Sequence, residues 1–320
     1  VVDAVTGQPI AGVTATGSEI TGGPSTATGA LTVSAIASSA NARMVTFSVA
    51  GYVNRSVAMK VAGTAVTVSM IPAAFNLNAF DELLRTPHLR RWTTTPALRL
   101  QARTLTFEDV NQADAVAEDV AWSDGEVAVV ETDLLWALPQ LTGGTFQAFS
   151  STTRQTAAVG ERVSLLNSGT ITVARMRGLR NRTGFAGYGR WQFQNDGTVV
   201  GGSVMLDYDF ELLAPDQRRA VRAHELGHAL GYDHVSSVPS LMNATGRSAP
   251  VTFDLEATTI AFRRPPGNVR PDADPSSASL NSLRAAQWSR GAGLVPGAAL
   301  HGYAPAPARN HVVTSVGVRR

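Results

Sequence analysis

The sequence predicts a multidomain chain: an all-β sandwich, then an α/β domain, then an unstructured tail. Three observations carry this. Residues 1–73 are dominated by Val, Thr, Ala, Ser and Gly, with alternating runs such as RMVTFSVAGY and AVTVSM broken at Gly and Pro, the pattern of short strands. Residues 74–266 interleave strand-like with helix-like runs, which points to layered α/β architecture. Residues 267–320 are rich in Pro, Ala, Gly, Ser and Arg and hold no sustained periodicity. At 320 residues, 44% hydrophobic and 16% charged, the chain is long enough for two sizeable cores. No apolar run approaches the roughly 20 residues of a membrane-spanning helix. A net charge of +2 gives no argument for nucleic acid or an anionic membrane as partner. With no cysteine, disulfides, thiolate metal sites and thiol nucleophiles are excluded together. The chain opens at Val1 without an apolar leader, from which removal of a leader is expected.

In order along the α/β part, DELLRTPHLRRW predicts a helix that Pro87 interrupts, and His88 beside it is read as an ordinary histidine. ALRLQARTLT alternates like a strand. Residues 107–122 read as a helix, with Thr106 and Asp109 as its start and Phe107, Val110, Ala113 and Ala117 on one face. Its acids follow helical spacing and lack the turns of a calcium loop. Strands are expected at 126–132, 145–150 and 171–176. Arg175, Arg177, Arg180, Arg182 and Arg190 form a basic stretch, read as a solvated loop, with a place near a cleft as the alternative. GRWQFQ and TVVGGSVMLDYDF, joined by Asn195, Asp196 and Gly197, read as a hairpin. Pro215 suits the first turn of the next helix. TFDLEATTIAF, opened by Thr252 and Asp254, is a closing helix that ends before Pro265. In the tail, 277–288 is the one helical candidate.

The chemistry is concentrated in HELGHALGYDH, from His224 to His234, which holds three of the six histidines. On a helix, residues four apart lie about 40° apart around the axis and one turn along it, so His224 and His228 reach one cation. Glu225 lies on nearly the same face and can hold a water there without being a ligand. Gly231 can take positive φ and end the helix, which returns His234 as a third ligand. Three imidazoles with one open position describe a catalytic rather than a structural zinc site.

This run resembles the metzincin signature HExxHxxGxxH at every specified position, and Met242 in SLMN resembles the family's methionine turn. The resemblance implies a zinc endopeptidase with one catalytic ion on His224, His228 and His234, Glu225 as general base, and Met242 beneath the metal without touching it. It implies a mixed, mostly parallel sheet with an antiparallel edge strand that pairs with extended polypeptide substrate. By position that strand holds Gly189, Arg190, Trp191, Gln192, Phe193 and Gln194. A secreted, cell-surface or periplasmic bacterial enzyme is the implied setting. Within the family, GGSVMLDYDFE is similar to the matrixin pattern, but Ser203 and Met205 stand where matrixins have structural-zinc ligands, so no second zinc is expected. Asp207 and Asp209 retain the acidic character that leaves a calcium ion as a weak expectation. Val235, Asn243 and Ala244 depart from the matrixin residues, and no tyrosine ligand is expected from the turn. TGQPIAGVTATG, GYVNRSV and TAVTVSMIP resemble carboxypeptidase regulatory-like, transthyretin-like modules, which implies a spacer, docking or folding role for residues 1–73. Every expected catalytic residue lies between the flanks, so both flanks are expected to be dispensable for chemistry. Two rival readings stand: a surface or binding protein with an inactive metzincin domain, and a zinc hydrolase of non-peptide substrates. Oligomeric state leaves no signal in the sequence.

Overall fold

The computed structural model describes residues 1–35, 42–59, 65–210, 213–245, 249–276 and 287–294. Its first part is all β. Strands β1 (Val2–Asp3), β2 (Thr14–Gly17), β3 (Ile20–Gly22), β4 (Val33–Ala35), β5 (Arg43–Ser48), β6 (Arg55–Met59) and β7 (Ser69–Met70) form two sheets. One is a five-stranded antiparallel sheet in the order β4-β3-β2-β5-β6, and the other is the parallel pair β1-β7. Along β5 the period-two pattern holds: Val45 and Phe47 face inward and pack with Val13, Ala15, Ile20, Val68 and Met70. Helix α1 (Leu77–Leu84) follows, capped by Asn76, whose side chain accepts from the Ala79 amide at 3.1 Å. It stops at Leu84, three residues before Pro87, as the sequence predicts.

The second part is a curled mixed sheet with helices. Its strands are β8 (Ala97–Gln101), β9 (Arg103–Thr106), β10 (Asp114–Ala121), β11 (Thr152–Gln155), β12 (Arg162–Ser164), β13 (Thr170–Arg177), β14 (Gly187–Gln194), β15 (Val199–Asp207) and β16 (Gln287–Leu294). Its helices are α2 (Asp124–Gln140), the short α3 (Leu179–Thr183), α4 (Pro215–Ala229) and α5 (Thr252–Phe262). The path across the sheet is β12-β10-β9-β13-β15-β14-β16, with β8 beside β13 and β11 beside β8. Strands β11, β8, β13 and β15 run parallel, while β14 is antiparallel to both β15 and β16. Strand β13 is buried along its whole length except Arg177, as a central parallel strand covered on both faces must be.

Three expected elements are corrected. Residues 107–122 are not a helix: Asp109 makes a turn that accepts the Asn111 amide on its carboxylate, and β10 follows with Ala115 and Ala117 turned inward. Residues 126–132 are not a strand. They lie in α2, which Ser123 and Glu126 open as a capping box, with Val127, Val130, Leu134, Ala137 and Leu138 on one buried face. Residues 145–150 form no strand, although Phe146 and Phe149 are buried in the main core. The basic stretch is solvated only in part: Arg177, Arg180 and Arg182 are exposed at the end of β13 and in α3, while Arg175 in β13 and Arg190 in β14 are buried. Arg175 is buried against Thr104, Glu126 and the Ala121 carbonyl, Arg177 pairs with Glu118, and Arg190 donates to the Asn111 and Gln112 carbonyls.

The expected tail boundary at 267 falls inside ordered structure. Residues 267–276 pack back on both parts of the chain: Arg264 makes two bonds of 2.7 Å to Asp272, and donates also to Ser69 of β7. Arg55 of β6 reaches Asp274 at 2.6 Å and the Asp272 carbonyl at 3.2 Å. Ala4 and Ile71 belong to the same apolar core as the α/β part. Residues 287–294 form β16, and the rest of the expected tail, including 277–286 of the helical candidate, lies outside the described residues, as do His301 and His311. Among the described residues no helix is long and apolar enough to cross a membrane.

Candidate metal centre

Helix α4 begins at Pro215, whose missing amide hydrogen costs nothing in a first turn. From Ala220 to its end every residue is buried, His224, Glu225 and His228 completely. His224 and His228 are therefore core side chains and not solvated groups on a surface helix. The helix ends as Gly231 predicts. Gly231 takes φ +106°, its amide donates to the His228 carbonyl at 2.9 Å and the Tyr232 amide donates to the Gly227 carbonyl at 3.0 Å, a Schellman ending. The reversed chain carries His234 back to the other two histidines.

The three Nε2 atoms converge. They lie 3.0 Å apart for His224 and His228, and 3.2 Å for each of the other two pairs. His224 Nδ1 lies 2.7 Å from the Leu241 carbonyl and His228 Nδ1 lies 2.6 Å from the Tyr232 carbonyl. A carbonyl only accepts, so both Nδ1 atoms carry the hydrogen and both Nε2 lone pairs point at the shared centre. Burial first, and then the neighbouring histidines, push His224 down to about 3 and His228 well below the ordinary value, while burial pushes His234 down to about 4. Three neutral imidazoles aiming lone pairs at one point repel unless a cation lies between them. Tetrahedral zinc at about 2.0–2.1 Å from each nitrogen needs nitrogen separations of about 3.3–3.4 Å, a few tenths from those observed. Among the described residues this is the one group of three metal-ligating side chains with that convergence. His88 is not part of it.

Groups distant in sequence hold the three histidines. Asp254 of α5 accepts from the Leu241 amide and the Val251 amide, both at 2.8 Å, and from the Ser240 hydroxyl. It thereby holds Leu241 from its amide side, and the Ser240 hydroxyl it fixes accepts from the Met242 amide of the peptide whose carbonyl orients His224. Asn243 donates to the carbonyls of Val235 at 2.6 Å and Val238 at 2.9 Å, which ties the turn to the chain after His234. Arg90 is fully buried, donates to the Thr86 carbonyl at 2.7 Å, forms an ion pair with Asp233 and lies 3.4 Å from the Gly231 carbonyl. Trp92 donates to the Ala229 carbonyl at 3.1 Å. Sequence reasoning missed Arg90, Trp92 and Asp254 as supports. None lies within the motif, and only the position of Asp254 in a predicted first turn was a signal.

Met242 is buried beneath the helix. A Cβ built at Gly227 would lie 2.5 Å from its Sδ, so the thioether fills the space left by that glycine. On the other side, α4 lies against β14. A Cβ at Gly187 would fall 2.7 Å from Glu225 Oε1, and one at Gly189 would fall 2.3 Å from His228 Cβ. These two glycines let the strand backbone run directly beside the general-base candidate and a ligand. Trp191 stacks on the His228 ring at 5.8 Å and 11°.

Of the residues expected in the substrate strand, Gly189, Arg190, Trp191, Gln192, Phe193 and Gln194 all lie in β14. It is not an edge among the described residues, because β16 covers the side opposite β15. Asp207, raised as a calcium candidate, accepts from the Arg180 amide at 2.7 Å and the Asp209 amide at 3.1 Å. Met205 packs in the second core with Leu105, Met176 and Tyr188.

No protein-family model matches the chain, and no curated protein does. The functional argument therefore rests on the geometry of the centre itself.

Proposed function

We propose that the chain is a zinc-dependent endopeptidase of metzincin type. The observation that carries this is the convergence of the His224, His228 and His234 Nε2 atoms at 3.0–3.2 Å, on a helix that also presents the buried Glu225 toward β14. His224, His228 and His234 would hold the ion, and the fixed Nδ1 hydrogen bonds keep the first two imidazoles in the ligating tautomer without rearrangement. When bound, zinc supplies Lewis acidity that polarises a peptide carbonyl and acidifies water at the site. Glu225 takes the proton from the attacking water as its oxygen bonds to the carbonyl carbon, and returns a proton to the amine as the C–N bond breaks. The backbone of β14 orients extended polypeptide by strand pairing.

The test combines metal and turnover. Protein purified without added metal is expected to hold about one zinc per chain, as one catalytic site requires. It is expected to clear casein or gelatin in a gel, lose this with a chelator and regain it with zinc. Purified zinc-loaded protein that cleaves no polypeptide would refute the proposal.

A further inference from the structure

We propose that residues 287–294 of the chain's own C-terminal region occupy the place of the substrate strand and hold the centre latent. This rests on the peptidase reading above and names its regulation.

Strand β16 pairs with β14 antiparallel over its full length, from Gln194 opposite Gln287 to Gly187 opposite Leu294. That is the mode in which β14 would receive a polypeptide: an extended chain satisfying the outward row of N–H and C=O groups that an edge strand presents. The end of the segment that reaches Ala292 and Leu294 lies opposite Gly189 and Gly187, the two positions where β14 touches His228 and Glu225. Strand β16 also touches α4. A substrate that used this row would have to displace the segment.

The pairing is tightest at Gly291, which is buried. A Cβ there would lie 2.5 Å from Tyr188 Cε1, 2.7 Å from the Tyr188 hydroxyl and 2.9 Å from Arg190 Cγ. Neither neighbour can readily yield, because Tyr188 is packed among Leu105, Met176 and Met205, and the Arg190 guanidinium is held by the Asn111 and Gln112 carbonyls. A glycine is favoured at this point, QWSRGAGL supplies one there, and a general substrate with a side chain there would fit less well. A glycine opposite Arg190 is therefore what gives the chain's own segment its advantage over a substrate.

If the segment is seated nine times in ten, apparent substrate affinity falls about tenfold, because affinity is scaled by the fraction of competent molecules. The experiment uses the full zinc-loaded chain and its Gly291→Val and Gly291→Pro variants. Hydrogen exchange of the β14 amides that face away from β15 is expected to be slow in the parent and fast in both variants. A synthetic QWSRGAGL peptide carrying a fluorophore is expected to bind the variants and not the parent, and kcat/KM for an unrelated peptide is expected to rise about tenfold in the variants. Equal exchange and equal peptide binding in parent and variants would overturn the proposal. Faster exchange with peptide binding, but no turnover in any of the three proteins, would leave the segment as the occupant of β14 while refuting both its latency role and the peptidase reading.

Discussion

Asp254 is the buried acid on which the turn at 240–243 and His224 both depend, and its replacement by asparagine separates that role from a simple helix cap. The carboxylate takes hydrogen bonds from the Leu241 amide, the Val251 amide and the Ser240 hydroxyl. Charge-assisted bonds contribute roughly 1.5–3 kcal/mol and neutral ones roughly 0.5–1.5 kcal/mol. Removing the charge from three of them costs on the order of 3 kcal/mol, with the asparagine nitrogen turned to the serine oxygen. Because the Leu241 carbonyl accepts the His224 Nδ1 hydrogen, loosening Leu241 and the Ser240 hydroxyl beside it also loosens His224. Outer partners of metal ligands typically change metal affinity by about 10–100-fold, equivalent to roughly 1.4–2.7 kcal/mol. Zinc affinity measured by competition with a chromogenic chelator should therefore weaken about 10–100-fold in Asp254→Asn, alongside a lower melting temperature. A variant that melts earlier yet binds zinc as tightly as the parent would show that Asp254 supports only α5, and the coupling argued through Leu241 would be wrong.

Three further outcomes are expected. Glu225→Ala should keep its zinc and lose about 10²–10⁴-fold in turnover, the usual reach of general acid–base catalysis, and elemental analysis beside a peptide assay checks both halves. Met242→Leu conserves volume approximately and should cost less than about 1.5 kcal/mol by denaturant melting while zinc stays bound; failure to hold zinc in the folded variant would make the thioether itself necessary. A chain lacking residues 1–73 loses the Ser69 partners of Arg264 and the Arg55 bonds to 272–274, so it should be less stable by at least about 2 kcal/mol, or roughly 4–8 °C, and unchanged melting would restore the picture of a detachable module.

The convergence of His224, His228 and His234 was legible because the three and the helix ending lie within eleven residues, where spacing and the freedom of Gly231 determine geometry. Pro215 and the β14-β15 hairpin were legible for the same reason, each being a local rule. The helix and strand exchanged between 107 and 132 show where local rules compete. EVAVVET offers both alternation and a helical face, and the Ser123 and Glu126 capping box was the signal that decides it. Phe107, Val110, Ala113 and Ala117 match helical spacing, yet the Asp109 turn intervenes and only Ala115 and Ala117 are turned inward in β10. Arg90 and Asp254 were illegible as supports because a buried charge is chosen by partners far along the chain. Strand β16 was illegible because GAG has little intrinsic strand preference; the row of backbone groups on β14, and the room left at Tyr188, select it.

The supports also bear on how the centre would treat an ion. Both described Nδ1 hydrogens go to peptide carbonyls and neither goes to a carboxylate. A carboxylate in that place would feed negative charge through the imidazole and make it a stronger donor. Here the charged groups stand one step back: Asp254 grips the Leu241 amide rather than the histidine, and Asp233 is matched by Arg90. A divalent cation on three neutral imidazoles would then meet Glu225 as the one carboxylate that α4 itself contributes to its buried segment. Less compensation by ligands leaves more Lewis acidity for the substrate carbonyl and for water. Placing a carboxylate at the Leu241 carbonyl's position should therefore tighten metal binding and slow turnover together, whereas loosening that carbonyl through Asp254 should weaken both. The opposite signs for zinc affinity distinguish an electronic role of the outer partners from a purely geometric one.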